Sequence, residues 1–471
     1  MASNEIWQWS AADTATAIRT GQVSALEVTQ AHVARLHAAN PALNAVVVDL
    51  TDQALDAARA ADAAQASGAE LGTLHGVPVT IKINIDVEGQ ANSNGVVALK
   101  DNIAPGDAPV TANLKQAGAI ILGLTNTPEF SMRAFTDNPL HGQTWNPWDR
   151  AITCGGSSGG AAAAVAAGIG CIAHGNDIGG SLRWPAFCTG IATIRPSQGR
   201  VPAFNPSAPV ERPPMAQLMS VQGPLCRDVA DVRLALSVMS RRDVRDPWWV
   251  PAPLEGPPLP KRVAKAKIPA SMDCNHEVLA LIDRAAAWLS EAGYEVVELE
   301  VPDIDETFKV WVDLISTEIT VLQLKQYREQ GGPLFQGALD GILTMATILD
   351  GPGYMQAVAY RARLIRRWLA FLEDWPVILA PVSVQPTPAF DADLVSTEAV
   401  RRIFGNDLRF NMAVSALGVP VATTPIGYVD GAPIGIQLIG QRFREDACLE
   451  AAAAIEARLG LPVHDLWARS T

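Results

Sequence analysis

The chain has 471 residues, 48% of them hydrophobic, and a formal net charge of −13. That acidic balance argues against nucleic acid or an anionic membrane as a default partner, and the length allows one large α/β enzyme domain or two to three smaller ones. The six cysteines, at 154, 171, 188, 226, 274 and 448, contain no CxxC pair, so neither a disulfide framework nor a zinc site is indicated.

The opening residues MASNEIWQWS lack a basic segment followed by an apolar one, so no secretory signal is read and a cytoplasmic protein is expected. Residues 10–38 and 51–67 carry apolar positions at helical spacing and read as surface helices. Short apolar runs then read as buried strands: Val77–Ile83, Ala119–Leu124, Val377–Leu379, Val421–Thr424 and Ile434–Ile439. The small-residue run Ala161–Gly168 is helix-like, and the apolar stretch that contains it, Ala161–Ala173, is too short and glycine-broken to span a bilayer. Residues 246–260 form a proline-rich connector. Beyond it lie a helix over Glu277–Ala292, a strand over Glu295–Val301 and a largely helical segment over 305–376, broken near Gly331. Strands interleaved with helices place the fold in the α/β class.

Two glycine-flanked serine clusters bracket the alanine-rich run. The first is Gly155-Gly156-Ser157-Ser158-Gly159-Gly160 and the second Asn176-Asp177-Ile178-Gly179-Gly180-Ser181. Glycines permit tight turns and close backbone approach at an entropic cost, so two such clusters suggest a built site. The first also satisfies G-x-S-x-G, the nucleophile elbow, for which His464 and Asp465 could be recruited. That elbow needs a hydrophobic strand before it, and residues 145–154 contain a proline and turn formers instead. No phosphate loop or dinucleotide fingerprint is present. His174 and Cys171 lack the further partners a metal site requires.

A serine hydrolase without a suitable histidine needs another base, and lysine can serve. Lys82 lies inside the apolar run Gly76-Val-Pro-Val-Thr-Ile-Lys82-Ile-Asn-Ile-Asp86. Buried there, its pKa would fall and make it a usable base; on an edge strand it would point to water. The run alone leaves both readings open.

Lys82, the Gly155–Gly160 cluster and Asp177–Ser181 occur in the order and spacing of the amidase signature family, which the chain resembles along nearly its full length. Residues 125–130, 138–148, 222–228, 419–427 and 433–439 add to the resemblance. It implies one domain over 1–471, with a large mixed β-sheet flanked by helices on both faces and core motifs in 70–230. Ser181 is then the nucleophile, Ser157 the proton bridge after a cis peptide bond, and Lys82 the base. Backbone N–H groups of Ile178, Gly179, Gly180 and Ser181 are expected to form the oxyanion hole. Gly156, Ser158 and Asp177 are read as support, Ser158 as a brace and Asp177 as a loop-fixing acceptor. The chain departs from the family's pattern at Cys154, where proline is usual, and at Asn176, where threonine or serine is common.

The resemblance implies an amidohydrolase acting on a small apolar or aryl amide or carbamate, with no metal or organic cofactor. A homodimer is compatible with it. The second reading is a component of the aminoacyl-tRNA amidotransferase, which would need partner subunits. Phe130, Met132, Phe135, Trp145 and Trp184 are candidates for an apolar pocket, with core packing as the alternative for each. Residues 305–376 match the family least and are expected to form a lid that carries specificity.

Overall fold

Eleven strands make one mixed sheet in the computed structural model, which describes residues 5–469. They are β1 (Val46–Asp49), β2 (Pro78–Lys82), β3 (Ile120–Thr125), β4 (Ile172–Asp177), β5 (Ala192–Arg195) and β6 (Val221–Cys226), followed by β7 (Arg262–Ala266), β8 (Glu295–Leu299), β9 (Val377–Pro381), β10 (Val421–Val429) and β11 (Ala432–Gly440). Their spatial order is β1-β3-β2-β4-β6-β5-β10-β11-β9-β7-β8. β2 runs parallel to both β3 and β4, and β7 parallel to both β8 and β9; the other neighbours are antiparallel. The chain is a single α/β domain built on this sheet, with helices against it.

Strands β2, β5, β6 and β9 are buried at every residue, which explains continuous apolar stretches in place of alternation. The outer strand β8 instead exposes Glu295 and Glu298, charges that discourage pairing with another chain. β10 and β11 form a hairpin closed by Asp430 and Gly431, both at positive φ, as a two-residue primed turn requires.

The first helical stretch differs from the sequence expectation. It is two helices, Ala11–Arg19 and Ala25–Leu43, separated at Gly21 and restarted by a capping box in which Ser24 and Glu27 bond reciprocally. The expected helical segment is present as Ile304–Glu318, a π-helical turn Ile319–Gln323, then Leu324–Gln330, Pro333–Leu343 and Gly351–Asp374. Among the described residues no helix is long and apolar enough to cross a membrane.

Candidate active site

The parallel neighbours β2 and β4 end on the same side of the sheet. Lys82 closes β2, and Asn176 and Asp177 close β4. The chain arriving from Thr153 turns there, and Ser157 and Ser158 lead into the fully buried helix Gly159–Ala166. Residue 156 must be glycine, because a Cβ would lie 2.6 Å from both the Arg133 carbonyl oxygen and the Phe135 nitrogen. The Gly156–Ser157 peptide bond is cis.

Lys82 is completely buried. Its Nζ lies 2.7 Å from Ser157 Oγ, 2.8 Å from Asn176 Oδ1 and 3.1 Å from Ser158 Oγ. Burial drives its pKa well below that of an ordinary lysine, and the nearby negative charge of Asp177 only partly opposes this. The surrounding amides have a defined polarity. Asn176 Nδ2 donates to Asn84 Oδ1 at 3.0 Å, Asn84 Nδ2 to Ser131 Oγ at 2.9 Å, and the Ser131 hydroxyl to Asn94 Oδ1 at 2.7 Å. The Ser158 hydroxyl donates to the Asn176 carbonyl at 3.3 Å. Asn176 Oδ1 and Ser158 Oγ therefore face the lysine as acceptors. A neutral amine has two N–H donors and one lone pair. With both donors engaged, the lone pair is left for the Ser157 hydroxyl.

Asp177 braces the second glycine loop. Its carboxylate accepts from Gly180 N at 2.8 Å, Leu182 N at 3.2 Å and Arg183 Nε and Nη2, each at 3.0 Å, with Arg195 Nε 3.6 Å away. Burial alone would raise its pKa, but Arg183, Arg195 and the Gly180 N–H outweigh burial and hold it below the ordinary value. Because the Gly180 N–H is given to Asp177, the expected oxyanion donors reduce in this structure to Ile178, Gly179 and Ser181. His174, on the same strand, is fully buried and bonded to Gln222 at 2.8 Å. Burial, against the Gln222 bond and with the Lys82 charge, depresses its pKa to about 3, so it is a neutral core residue.

Ser157 and Ser181 both line a cavity of about 690 Å³. Phe130 and Met132 line it as well, whereas Phe135, Trp145 and Trp184 are not among its walls. Trp184 is buried, with its indole N–H bonded to the Ala134 carbonyl at 2.9 Å and its ring stacked on Phe187. Trp145 packs edge-on against Phe390 beneath Arg150. His464 leans on Trp467 in the last helix, away from the cavity walls.

Much of the wall carries no mark in the sequence. Ile315, Glu318, Ile319 and Tyr327 reach it from the helical segment, and Val201, Phe204 and Arg212 from the strap after β5. The spacing of Ile315, Glu318 and Ile319 marks one helix face, but nothing local distinguishes a cavity face from a core face.

These groups stand in the order and setting of one known family. A family model described as Amidase matches residues 27–449. The chain belongs to the amidase signature family. The indoleacetamide hydrolase of Bradyrhizobium diazoefficiens is 59% identical over 464 residues, covering 98% of this chain and 88% of that protein. A glutamyl-tRNA(Gln) amidotransferase component from Moorella thermoacetica is 31% identical, covering 96% of this chain and 97% of the relative. Among solved structures, 6-aminohexanoate cyclic dimer hydrolase complexed with substrate aligns with a TM-score of 0.84 at 25% identity over 98% of both chains. This amidase signature chain is thus an amide hydrolase, cutting a carbon–nitrogen bond other than a peptide bond in a small molecule.

Proposed function

We propose that this amidase hydrolyses a primary arylacetamide of the indoleacetamide type through an acyl-enzyme on Ser181. The observation that carries the substrate reading is the 59% identity, across almost the whole chain, to a protein named indoleacetamide hydrolase. The cavity supports it. Ile85, Phe130, Met132, Ile315 and Ile319 offer an apolar seat, and its volume of about 690 Å³ exceeds what a bicyclic ring needs. The lower identity of 31% to the amidotransferase component makes that second reading the weaker one.

The Lys82–Ser157 contact of 2.7 Å carries the mechanism. Neutral Lys82 takes the Ser157 proton while Ser157 takes that of Ser181, and Ser181 Oγ bonds to the amide carbon. The carbonyl π pair moves to oxygen, which the N–H groups of Ile178, Gly179 and Ser181 receive. On collapse the C–N bond breaks, and the proton returns through Ser157 to the departing nitrogen, giving ammonia. Water hydrolyses the ester by the same relay, releasing the arylacetate. The helical segment 305–376 sets specificity in this reading, since five of its residues, at 315, 318, 319, 323 and 327, line the cavity.

The test is product release, read as ammonia from indole-3-acetamide and phenylacetamide, aniline from acetanilide and phenol from phenyl carbamate, with the native protein, Ser181→Ala and Lys82→Ala. Fast turnover of the first two, abolished in both variants, is expected. Turnover confined to the carbamate or the anilide would reject the arylacetamide assignment. A fully active Ser181→Ala protein would reject the mechanism.

A further inference from the structure

We infer that Trp311 is a positioning residue for amide cleavage, fixing the peptide plane that carries the Gly179 N–H. This rests on the proposed oxyanion role of that N–H.

Trp311 lies on the helix Ile304–Glu318, more than a hundred residues from the glycine loop in sequence, and is nearly buried. Its indole N–H donates to the Ile178 carbonyl oxygen at 2.7 Å. Its ring covers Gly179 so closely that a Cβ there would lie 2.8 Å from Cζ2 and 3.2 Å from Cη2. The indole thus accounts for glycine at position 179 and grips the loop at the same place.

The grip has a chemical consequence. The Ile178 carbonyl and the Gly179 N–H belong to one planar peptide group and point in opposite directions. Pinning the oxygen on one side therefore aims the N–H on the other. Hydrogen bonds in series also polarise one another, so a donor on the carbonyl makes the Gly179 N–H a stronger donor. Flanking glycines give this loop wide conformational freedom, and oxyanion stabilisation depends on donors that are already in place. Asp177 holds the loop beyond this plane, through Gly180 and Leu182, and Trp311 holds the plane itself.

The same helix face continues into the cavity. Trp311, Ile315 and Glu318 are spaced i, i+4 and i+7, and the latter two line the cavity. One rigid element thus carries part of the substrate wall and the clamp on the oxyanion loop.

The decisive variant replaces Trp311 with 3-benzothienylalanine, which keeps the ring shape and exchanges the N–H for sulfur; Trp311→Phe is its genetically simple partner. Three quantities are read: kcat and KM for phenylacetamide, the inhibition constant of a trifluoromethyl ketone analogue, and the melting temperature. Ser181 Oγ bonds to the ketone carbon as its proton passes through Ser157 to Lys82, and the carbonyl oxygen takes the π pair as an oxyanion in the same hole.

The benzothienyl variant is expected to lose about 10–100-fold in kcat with KM within about twofold, and to weaken ketone inhibition by a similar factor. Its melting temperature should fall by no more than a few degrees, because Ile178 is only half-buried at the cavity wall, where water can replace the lost donor. Unchanged kcat, or a rise in KM with ketone inhibition unaltered, would overturn the inference, because Trp311 would then only pack or line the pocket. If the native protein cleaves no arylacetamide, the substrate assignment alone fails. The same variants are then read with p-nitrophenyl acetate and a trifluoromethyl ketone of matching acyl size, where equal rates and affinities would still overturn the role of Trp311.

Discussion

Lys82 Nζ and Asn176 Oδ1 meet at 2.8 Å, and the asparagine oxygen faces the amine because its own Nδ2 is committed to Asn84. Asn176→Asp would put a negative charge where a neutral dipole now stands. An opposite charge at this distance favours protonated lysine and raises its pKa by about 1–3 units. In the proposed relay Lys82 takes a proton only when neutral, so activity should fall as pH drops through its pKa. The acid limb of the kcat/KM profile should therefore move to higher pH by about one unit or more. An acid limb that stays in place in an otherwise active variant would show that Lys82 is not the titrating base.

In the proposed relay the lone pair of neutral Lys82 faces Ser157, because Asn176 and Ser158 stand as acceptors for the amine's two N–H groups. Ser157→Ala should then lower amide turnover by about 10²–10⁴-fold, the usual worth of a positioned proton carrier. Ser181 would remain open to slow acylation by an activated ester such as p-nitrophenyl acetate. Mass spectrometry after incubation should find the acyl group on Ser181. An acyl group on Ser157 in the native protein would reverse the two assignments.

Asp177 joins two arginines that are themselves fully buried, Arg183 at 3.0 Å and Arg195 at 3.6 Å. Removing one partner of a buried ion pair leaves uncompensated charge and costs about 3–5 kcal/mol. Asp177→Ala should show that loss in a denaturant titration near neutral pH. The pH sign follows from the depressed carboxyl pKa in the folded state. The contribution is fully present above the unfolded carboxyl pKa, near 3.9, and is lost as pH falls through the lower folded value. The native and variant stabilities should therefore converge in strong acid, and a constant gap at all pH values would contradict the ion-pair account.

The site was legible in the sequence where chemistry is written locally. Lys82 interrupts an apolar run, and Ser157 and Ser181 each sit among glycines at close spacing, so their types and order could be read directly. Strand β4 was harder, because Ile172-Ala-His-Gly-Asn-Asp177 contains few strand formers and is held by pairing with β2 and β6. β6 contains Gly223-Pro224, which argues against a central strand, yet burial and its neighbours on both sides impose one. Trp311 over Gly179 and Asn411 over Gly180 explain those glycines only after distant helices have packed. The aromatic candidates divided for a similar reason. Phe130 faces the cavity from a left-handed backbone position, which residue type alone does not disclose.

Ile315 lies one helical turn beyond Trp311 and lines the cavity. Ile315→Phe would add volume to a wall that an aryl substrate must share but a short aliphatic amide need not approach. The expected outcome is a fall of about tenfold or more in kcat/KM for indole-3-acetamide, with propionamide changed less than twofold. A pocket misfit of a methylene or more is worth about 1–3 kcal/mol, which covers this ratio. Equal losses on both substrates would remove Ile315 from the aryl seat.

Trp184 follows Ser181 by three residues, yet its indole points into the protein, bonded to the Ala134 carbonyl at 2.9 Å and stacked on Phe187. Trp184→Phe keeps most of the ring contact and leaves a buried carbonyl without its donor, at a cost of about 1–3 kcal/mol. Thermal melting should register that cost. Relative kcat/KM values across indole-3-acetamide, phenylacetamide and propionamide should stay within twofold of the native ratios, because this buried side chain is not among the cavity walls. A changed ranking of those amides would place Trp184 in the substrate wall after all, and would mean that the Ala134 segment shifts when substrate binds.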